Sequence, residues 1–241
     1  MTVPTPGARR IESFRPRALA IAAVLAALFA ILAVLTTLPA VAAWDVRIDL
    51  AVNIDVATDS ALRTVALAVS AAGSPVAVDA LTAIAVIVVW MWGGRARRVR
   101  AVVYLVAARL LELGIETGVK YLMNRRRPVL PHPLATAQDP SFPSGHTAGT
   151  TVLCVSLLVL AWPGLSRVAR GGWVGAAGAA IIAVGASRVL LGLHYVTDVL
   201  GGALLGTAIA LALTPILITP QPLTPQPRDT PDTKPGPLRY R

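Results

Sequence analysis

Two of the three histidines in the chain have neighbours that suit nucleophilic and acid-base chemistry. Asp198 follows His194 by four residues, so a helix starting near His194 would place both on one face. The carboxylate could then accept the imidazole Nδ1–H, which leaves Nε2 free to attack phosphorus. His146 closes the run Pro143-Ser144-Gly145-His146. Delivered by a different segment, it is placed to protonate a leaving oxygen as a general acid. Lys120, Arg127 and Arg188 add three fixed cations. Phosphoryl transfer needs this arrangement, because its catalysis is mostly positioning and neutralising charge on the equatorial oxygens. Arg127 and Arg188 each offer a planar fork, and Lys120 a point charge. Ser144 and Gly145 precede an apolar run, so their backbone N–H groups at a helix start form an anion site, and Gly145 keeps a side chain out of the way. No carboxylate cluster suited to Mg²⁺ accompanies these groups, so the expected reaction uses neither metal nor cofactor.

Each piece also has a plainer reading. Lys120 and Arg125 to Arg127 could anchor a helix end among lipid headgroups, and for Arg125 and Arg126 this is the favoured assignment, with a more negative substrate as a weaker alternative. Pro-Ser-Gly alone is an ordinary helix start. His132 reads as a satisfied polar group in the loop 121–142. Arg109, Glu112 and Glu116 are expensive inside a bilayer and should pair or face the interior, with Glu116 four residues before Lys120 and able to hold its ammonium. Asp79 is either an interfacial polar residue or a cation partner.

The elements that must carry these groups are membrane helices. Hydrophobic residues make up 55% of the 241 and charged residues 14%, clustered between long apolar runs, with a mean hydropathy of +0.68. The formal charge of +10 does not imply nucleic acid, since aromatics are only 5% and no soluble basic face is evident. The single cysteine, Cys154, excludes an intrachain disulfide and a paired-cysteine metal site. A helix crosses hydrocarbon in about 20 apolar residues, satisfying every backbone polar group internally. Six segments qualify, near 18–41, 74–92, 101–120, 147–163, 172–187 and 195–218, which predicts an all-α integral membrane protein. The basic stretch 1–17 precedes a run too long for a signal-peptide core, so the first run is expected to be a retained anchor, with cleavage near Ala40 to Ala43 the lesser alternative. Asp59 could cap a short interfacial helix with Leu62, Val65, Ala66 and Val69 on one face, while the alternation Val46, Ile48, Leu50, Val52, Ile54 leaves 44–58 undecided. With both termini in the cytoplasm, fourteen Lys and Arg lie inside and seven outside. Five of those seven fall at Lys120, Arg125 to Arg127 and Arg188, beside the histidines, so chemistry rather than topology is expected to have put them there. The domain is expected to span 18–218, with a disordered Pro/Thr-rich cytoplasmic tail at 219–241, no repeat and no second domain.

Lys120 with six residues before Arg127-Pro128, then Pro143-Ser144-Gly145-His146, then Ser187-Arg188 with five residues before His194 and three more before Asp198, resembles the complete three-part signature of the type-2 phosphatidic acid phosphatase family. The resemblance implies a six-helix fold with the active site at the outer face, His194 as nucleophile, Asp198 as its orienting partner and His146 as acid. It also implies Lys120, Arg127, Ser144, Gly145 and Arg188 as phosphate ligands. The implied activity is dephosphorylation of a membrane lipid: phosphatidic acid, phosphatidylglycerol phosphate or a polyprenyl pyrophosphate. Vanadium haloperoxidases share the signature, but a chain with little sequence outside its helices fits them poorly. A non-catalytic lipid carrier or scaffold is the other alternative, and it would tolerate loss of His194. A bacterial inner membrane with the site facing the periplasm suits so compact a chain.

Overall fold

The computed structural model describes residues 6–91, 94–130 and 134–217, with side chains at 6–15 and 53–57 excepted. The tail 219–241 and His132 therefore lie outside the described residues, as do residues 1–5 of the basic N-terminal stretch. The described chain is all-helical: α1 (Pro6–Leu35), α2 (Pro39–Thr58), α3 (Ser60–Ala72), α4 (Pro75–Met91), α5 (Arg95–Met123), α6 (Gly145–Ala161), α7 (Arg167–Leu190) and α8 (Val196–Ala212). Four stretches are each long and apolar enough to cross a bilayer: Pro16–Leu35, Gly145–Gly164, Arg167–Leu190 and Val196–Leu217. The pair α3 and α4, bent by 47° at their junction, makes a fifth if counted as one span. Side chains such as Ile21, Ile87, Leu122 and Ile182 are exposed on the outside, where lipid would solvate them at no cost.

Helix α5 fails the same hydropathy test because of its charges, and their spacing explains why it tolerates them. Arg109, Glu112, Glu116 and Lys120 recur every three or four residues, share one face and are all buried. The expected pairing is present: Arg109 Nη1 donates to Glu112, Lys120 Nζ sits 2.8 Å from Glu116 Oε1, and Arg109 Nε donates to Asp79 Oδ1 at 2.6 Å. Asp79 is thus a cation partner.

The tightest helix contact is between α6 and α8, and small residues permit it. A Cβ on Gly202 would lie 2.6 Å from the Ser144 carbonyl, and one on Gly206 2.6 Å from the Ala148 carbonyl, so the backbones meet where side chains would keep them apart. Around this seam Ala108, Val152, Leu205, Ile209 and Ala210 form an apolar core. The Tyr104 hydroxyl reaches the Ala210 carbonyl at 2.8 Å and ties α5 to the same place. Phe142, fully buried and stacked on Phe29 of α1 with centroids 5.6 Å apart, anchors the approach to α6.

The segment 44–58, undecided from sequence, is helical throughout. Its apolar alternation is outweighed by a helical burial pattern, in which Val41, Asp45, Ile48, Asp49 and Val52 face inward. Helix α3 starts where expected, with Asp59 Oδ1 accepting from the amides of Ala61 at 2.8 Å and Leu62 at 3.0 Å. Its inner face differs from the expected one: Ala66 and Ser70 are buried against α7, and Val65 is exposed.

Candidate active site

Three chain reversals bring the site together. Helix α5 ends at Lys120 plus one turn, and Asn124 takes a left-handed conformation (φ 45°) whose amide caps the Lys120 carbonyl at 2.8 Å. The chain then runs through Arg125 to Arg127 and returns to α6. Ser141 ties the two limbs of this loop, donating from its amide to the Arg125 carbonyl and from its hydroxyl to that of Arg126. The third reversal joins α7 to α8. The Arg188 carbonyl accepts from the amides of Leu193 (3.0 Å) and His194 (3.3 Å), and Gly192 at φ +67° makes the turn that brings His194 back toward Arg188.

Six of the eight residues singled out from sequence, Lys120, Arg127, Gly145, His146, Arg188 and His194, line one cavity of about 290 Å³. Ser144 and Asp198 are fully buried and stand behind the lining. Glu112, Glu116 and Asp139 also line the cavity, so its wall alternates in charge.

His194 is 1% exposed, and its Nε2 lies 3.1 Å from Arg127 Nη1. A guanidinium can only donate, so Nε2 presents its lone pair and the proton of the neutral ring sits on Nδ1. Nδ1 faces Asp198 Oδ2 at 3.5 Å, an ion-pair distance but too long for a formed hydrogen bond, and it has no other partner among the described residues. Burial pushes the His194 pKa down to about 4; Asp198 opposes the shift, and Arg127 and Arg188 add to it. The ring is therefore neutral at physiological pH, as a nucleophile must be.

Two details of the sequence reading change here. His194 and Asp198 do not share a helical face: α8 begins at Val196, Tyr195 is its N-cap, and His194 belongs to the preceding turn. The pair meets across a helix start, where Asp198 Oδ2 also accepts the Tyr195 amide at 3.0 Å in a capping box. Nor is the Ser144 amide free for an anion, because it donates to the Asp198 backbone carbonyl at 3.0 Å. What Ser144 retains is its hydroxyl, which already accepts from the Thr147 hydroxyl at 3.1 Å. Gly145 follows as the first residue of α6 and has a second reason to lack a side chain, since a Cβ there would lie 2.6 Å from Glu116 Oε1.

The cations differ in how far they are committed. Arg188 donates through Nη1 to Ser70 Oγ of α3, while its buried Nε has no partner among the described residues. The fork of Arg127 is engaged by the Asp139 carbonyl (2.7 Å), Asp139 Oδ1 (2.8 Å) and the Leu193 carbonyl (2.5 Å). Lys120 reaches both Glu116 and Asp139 Oδ2. Asp139 thus holds two of the three cations expected to bind phosphate. Against the upward pull of burial, those two cations keep its carboxyl down at about 2. Nothing in the spacing of the loop singles Asp139 out.

Arg125 departs from the expectation of a headgroup anchor. Its side chain is 11% exposed, donates to Asp198 Oδ1, Thr197 Oγ1 (2.8 Å) and Asp45 Oδ2 (2.8 Å), and lies over the Tyr195 ring at 4.4 Å. Its partners come from α2 and α8, about 80 and 70 residues away in sequence, a distance no local pattern spans.

Comparison with known proteins finds relatives in sequence and in fold. Residues 99–220 match the PAP2 superfamily, a range that holds all eight of these residues. Over 158 residues the chain is 33% identical to YbjG of Escherichia coli (strain K12), a protein named as an undecaprenyl-diphosphatase, covering 64% of this chain and 73% of that one. Over 77 residues, 31% of this chain and 37% of the relative, it is 42% identical to phosphatidylglycerophosphatase B of Bacillus subtilis (strain 168). The crystal structure of a transmembrane PAP2 type phosphatidylglycerolphosphate phosphatase from Bacillus subtilis superposes with a TM-score of 0.70 at 26% identity, covering 80% of this chain and 93% of that one.

Proposed function

For a chain that belongs to the PAP2 superfamily, and is thus a membrane-embedded phosphoric ester hydrolase, we propose metal-independent removal of phosphate from a membrane lipid phosphate or pyrophosphate through a phosphohistidine on His194. The observation that carries the reading is the single cavity in which the Nε2 lone pair of a neutral His194 stands beside Arg127, with His146, Arg188 and Lys120 on the same wall. In the first half-reaction Nε2 attacks phosphorus, the bond from phosphorus to the leaving oxygen breaks, and His146 gives that oxygen its proton. In the second, His146 takes a proton from water as the water attacks the phosphohistidine, and inorganic phosphate leaves. Lys120, Arg127, Arg188, the Ser144 hydroxyl and the Gly145 amide hold the phosphate oxygens, and Asp198 keeps the ring in its working tautomer.

The proposed membrane arrangement has six spans, with α5 carried by its internal ion pairs and α4 completing the set. Both termini are placed in the cytoplasm and the site at the outer face of a bacterial inner membrane, supported by the excess of Lys and Arg on the inner connections. The substrates named for the relatives, an undecaprenyl diphosphate and a phosphatidylglycerol phosphate, both fit a cavity of this charge at headgroup level.

The test is phosphate release by the detergent-purified protein from phosphatidic acid, phosphatidylglycerol phosphate and a polyprenyl pyrophosphate, with excess EDTA, beside His194→Ala. The expected result is release that survives EDTA and is lost in the variant. Equal release by the variant would remove His194 from the nucleophile's place, and no release from any lipid would favour a carrier or scaffold.

A further inference from the structure

Behind Asp198, among residues that do not line the cavity, the structure has a second charged assembly. Asp45 of α2 is fully buried; its Oδ2 accepts from Arg125 Nη2 at 2.8 Å and from the Thr197 hydroxyl at 2.5 Å, and its Oδ1 accepts from the Thr197 amide at 3.3 Å. Arg125 in turn donates to Asp198 Oδ1. The two oxygens of Asp198 are therefore divided: Oδ1 belongs to Arg125, and Oδ2 faces the Tyr195 amide and His194 Nδ1. Closing the network within the protein leaves Arg125 no part in binding phosphate. We infer that Arg125, held in place by Asp45, is a positioning residue that acts on His194 through Asp198. Its guanidinium fixes the rotation of the carboxylate, so that one oxygen always faces the ring, and it draws off part of the negative charge that His194 would otherwise feel. The inference rests on His194 as nucleophile.

Removing either charge should move the protonation of His194, and in opposite directions. Asp198 of α8, Arg127 from the loop before α6 and Arg188 from α7 act on the ring directly, and the other ionisable groups of the same cavity are Asp139 from that loop, Arg109, Glu112, Glu116 and Lys120 from α5 and His146 from α6. Behind Asp198 stand Arg125, Tyr195, Asp45 and Asp49. Both carboxyl oxygens of Asp49 are buried and have no partner among the described residues, and burial together with Asp45 and Asp198 raises its pKa to about 7, so it adds little charge on the acid side. Arg125→Gln takes away a positive charge, lets Asp198 favour the imidazolium, and should raise the acid limb of kcat/KM by about 0.5 to 1 pH unit. Asp45→Asn takes away a negative charge one step further off and should lower the limb by less.

The experiment is the pH profile of phosphate release from phosphatidic acid in detergent for the full-length wild type, Arg125→Gln, Arg125→Lys and Asp45→Asn, with the folded fraction measured by size exclusion and thermal melting. For Arg125→Gln the expected result is a raised limb with kcat about 10- to 100-fold lower and KM within about 3-fold, since the cations at the cavity are untouched. Arg125→Lys should restore the limb but not kcat, because the charge returns without the fork. Should Arg125→Gln not fold with Asp45 left unpaired, the double variant Asp45→Asn with Arg125→Gln removes the unpaired charge at Asp45, leaves Asp198 with the Tyr195 amide and His194, and takes its place, with the same direction expected. An unmoved limb in the variant lacking Arg125, or an upward shift in Asp45→Asn, overturns the inference and leaves Arg125 a structural residue. Trapping of an acid-labile phosphoenzyme from ³²P-labelled substrate separates this from the larger reading: label retained in His194→Ala means that the nucleophile is wrong, whatever the pH profiles show.

Discussion

The two sides of His194 are built on opposite principles. At the cavity, the half-exposed carboxylate of Asp139 pairs with Lys120 and Arg127, Glu116 pairs with Lys120, and Arg188 donates to Ser70 while its Nε stays unmatched among the described residues. Behind the ring, Arg125 is enclosed by Asp45 and Asp198, and every charge in that ring of contacts has a partner. Arg125 and Arg127 are two residues apart in one loop, yet one serves each side. An open cluster with spare donors can accept a ligand's charge, whereas one closed on its own partners is suited to holding shape. The same residue type in the same loop thus faces the cavity at Arg127 and the closed network at Arg125, and the roles proposed for them, phosphate ligand and positioning residue, follow that placement.

The strongest way to break this comparison is to remove the group between the two sides. His194→Ala should lower phosphate release by about 10⁴-fold or more, since the covalent step is lost while the binding cations stay. His146→Ala should follow at about 10²- to 10⁴-fold, and least on substrates with a good leaving group, because only the proton donor is missing. Arg127→Ala comes next, at about 10²- to 10³-fold in kcat/KM, and Arg127→Lys should recover little of it, because one ammonium cannot replace a fork that spans Asp139, Leu193 and the ring. Acidification sharpens the same contrast: His194 must be neutral to attack and its pKa lies near 4, so the free enzyme should hold kcat/KM on the acid side until the pH falls toward that value.

What could be read in advance follows from the range of each signal. Helix positions follow from apolar runs and caps, both local, and Asp59, the ion pairs of α5 and the short helix before α4 were all readable that way. The eight candidate site residues stand out because their spacing is a pattern along the chain, and six of them line one cavity. Asp45 was hidden by an accident of composition, since the alternating apolar residues of 46–54 imitate a strand and mask the four-residue interval between Asp45 and Asp49. Ser70 and Arg125 were unreadable for a different reason: each takes its meaning from a partner about 70 or more residues distant, Arg188 in one case and Asp198 in the other. The Ser144 amide was misjudged because a helix start says that an amide is free of its own helix, and not whether a neighbouring helix has claimed it.

The smallest effect tests the open side most closely. Asp139 bridges Lys120 and Arg127 from the loop, in the place that an incoming phosphate must contest. Asp139→Asn keeps the shape and the capacity to accept a hydrogen bond but removes the charge, so the two cations should bind anions more tightly. The expected outcome is a fall of about 2- to 10-fold in KM and a matching fall in the inhibition constant for orthovanadate, with kcat little changed. The carboxyl titrates near 2, so Asp139 is ionised throughout the working range, and the ratio between variant and wild type should not vary from pH 5 to 9. A rise in KM would mean that Asp139 orders the cations instead of competing for them. The cavity would then resemble the closed side of His194 more than its unmatched donors suggest.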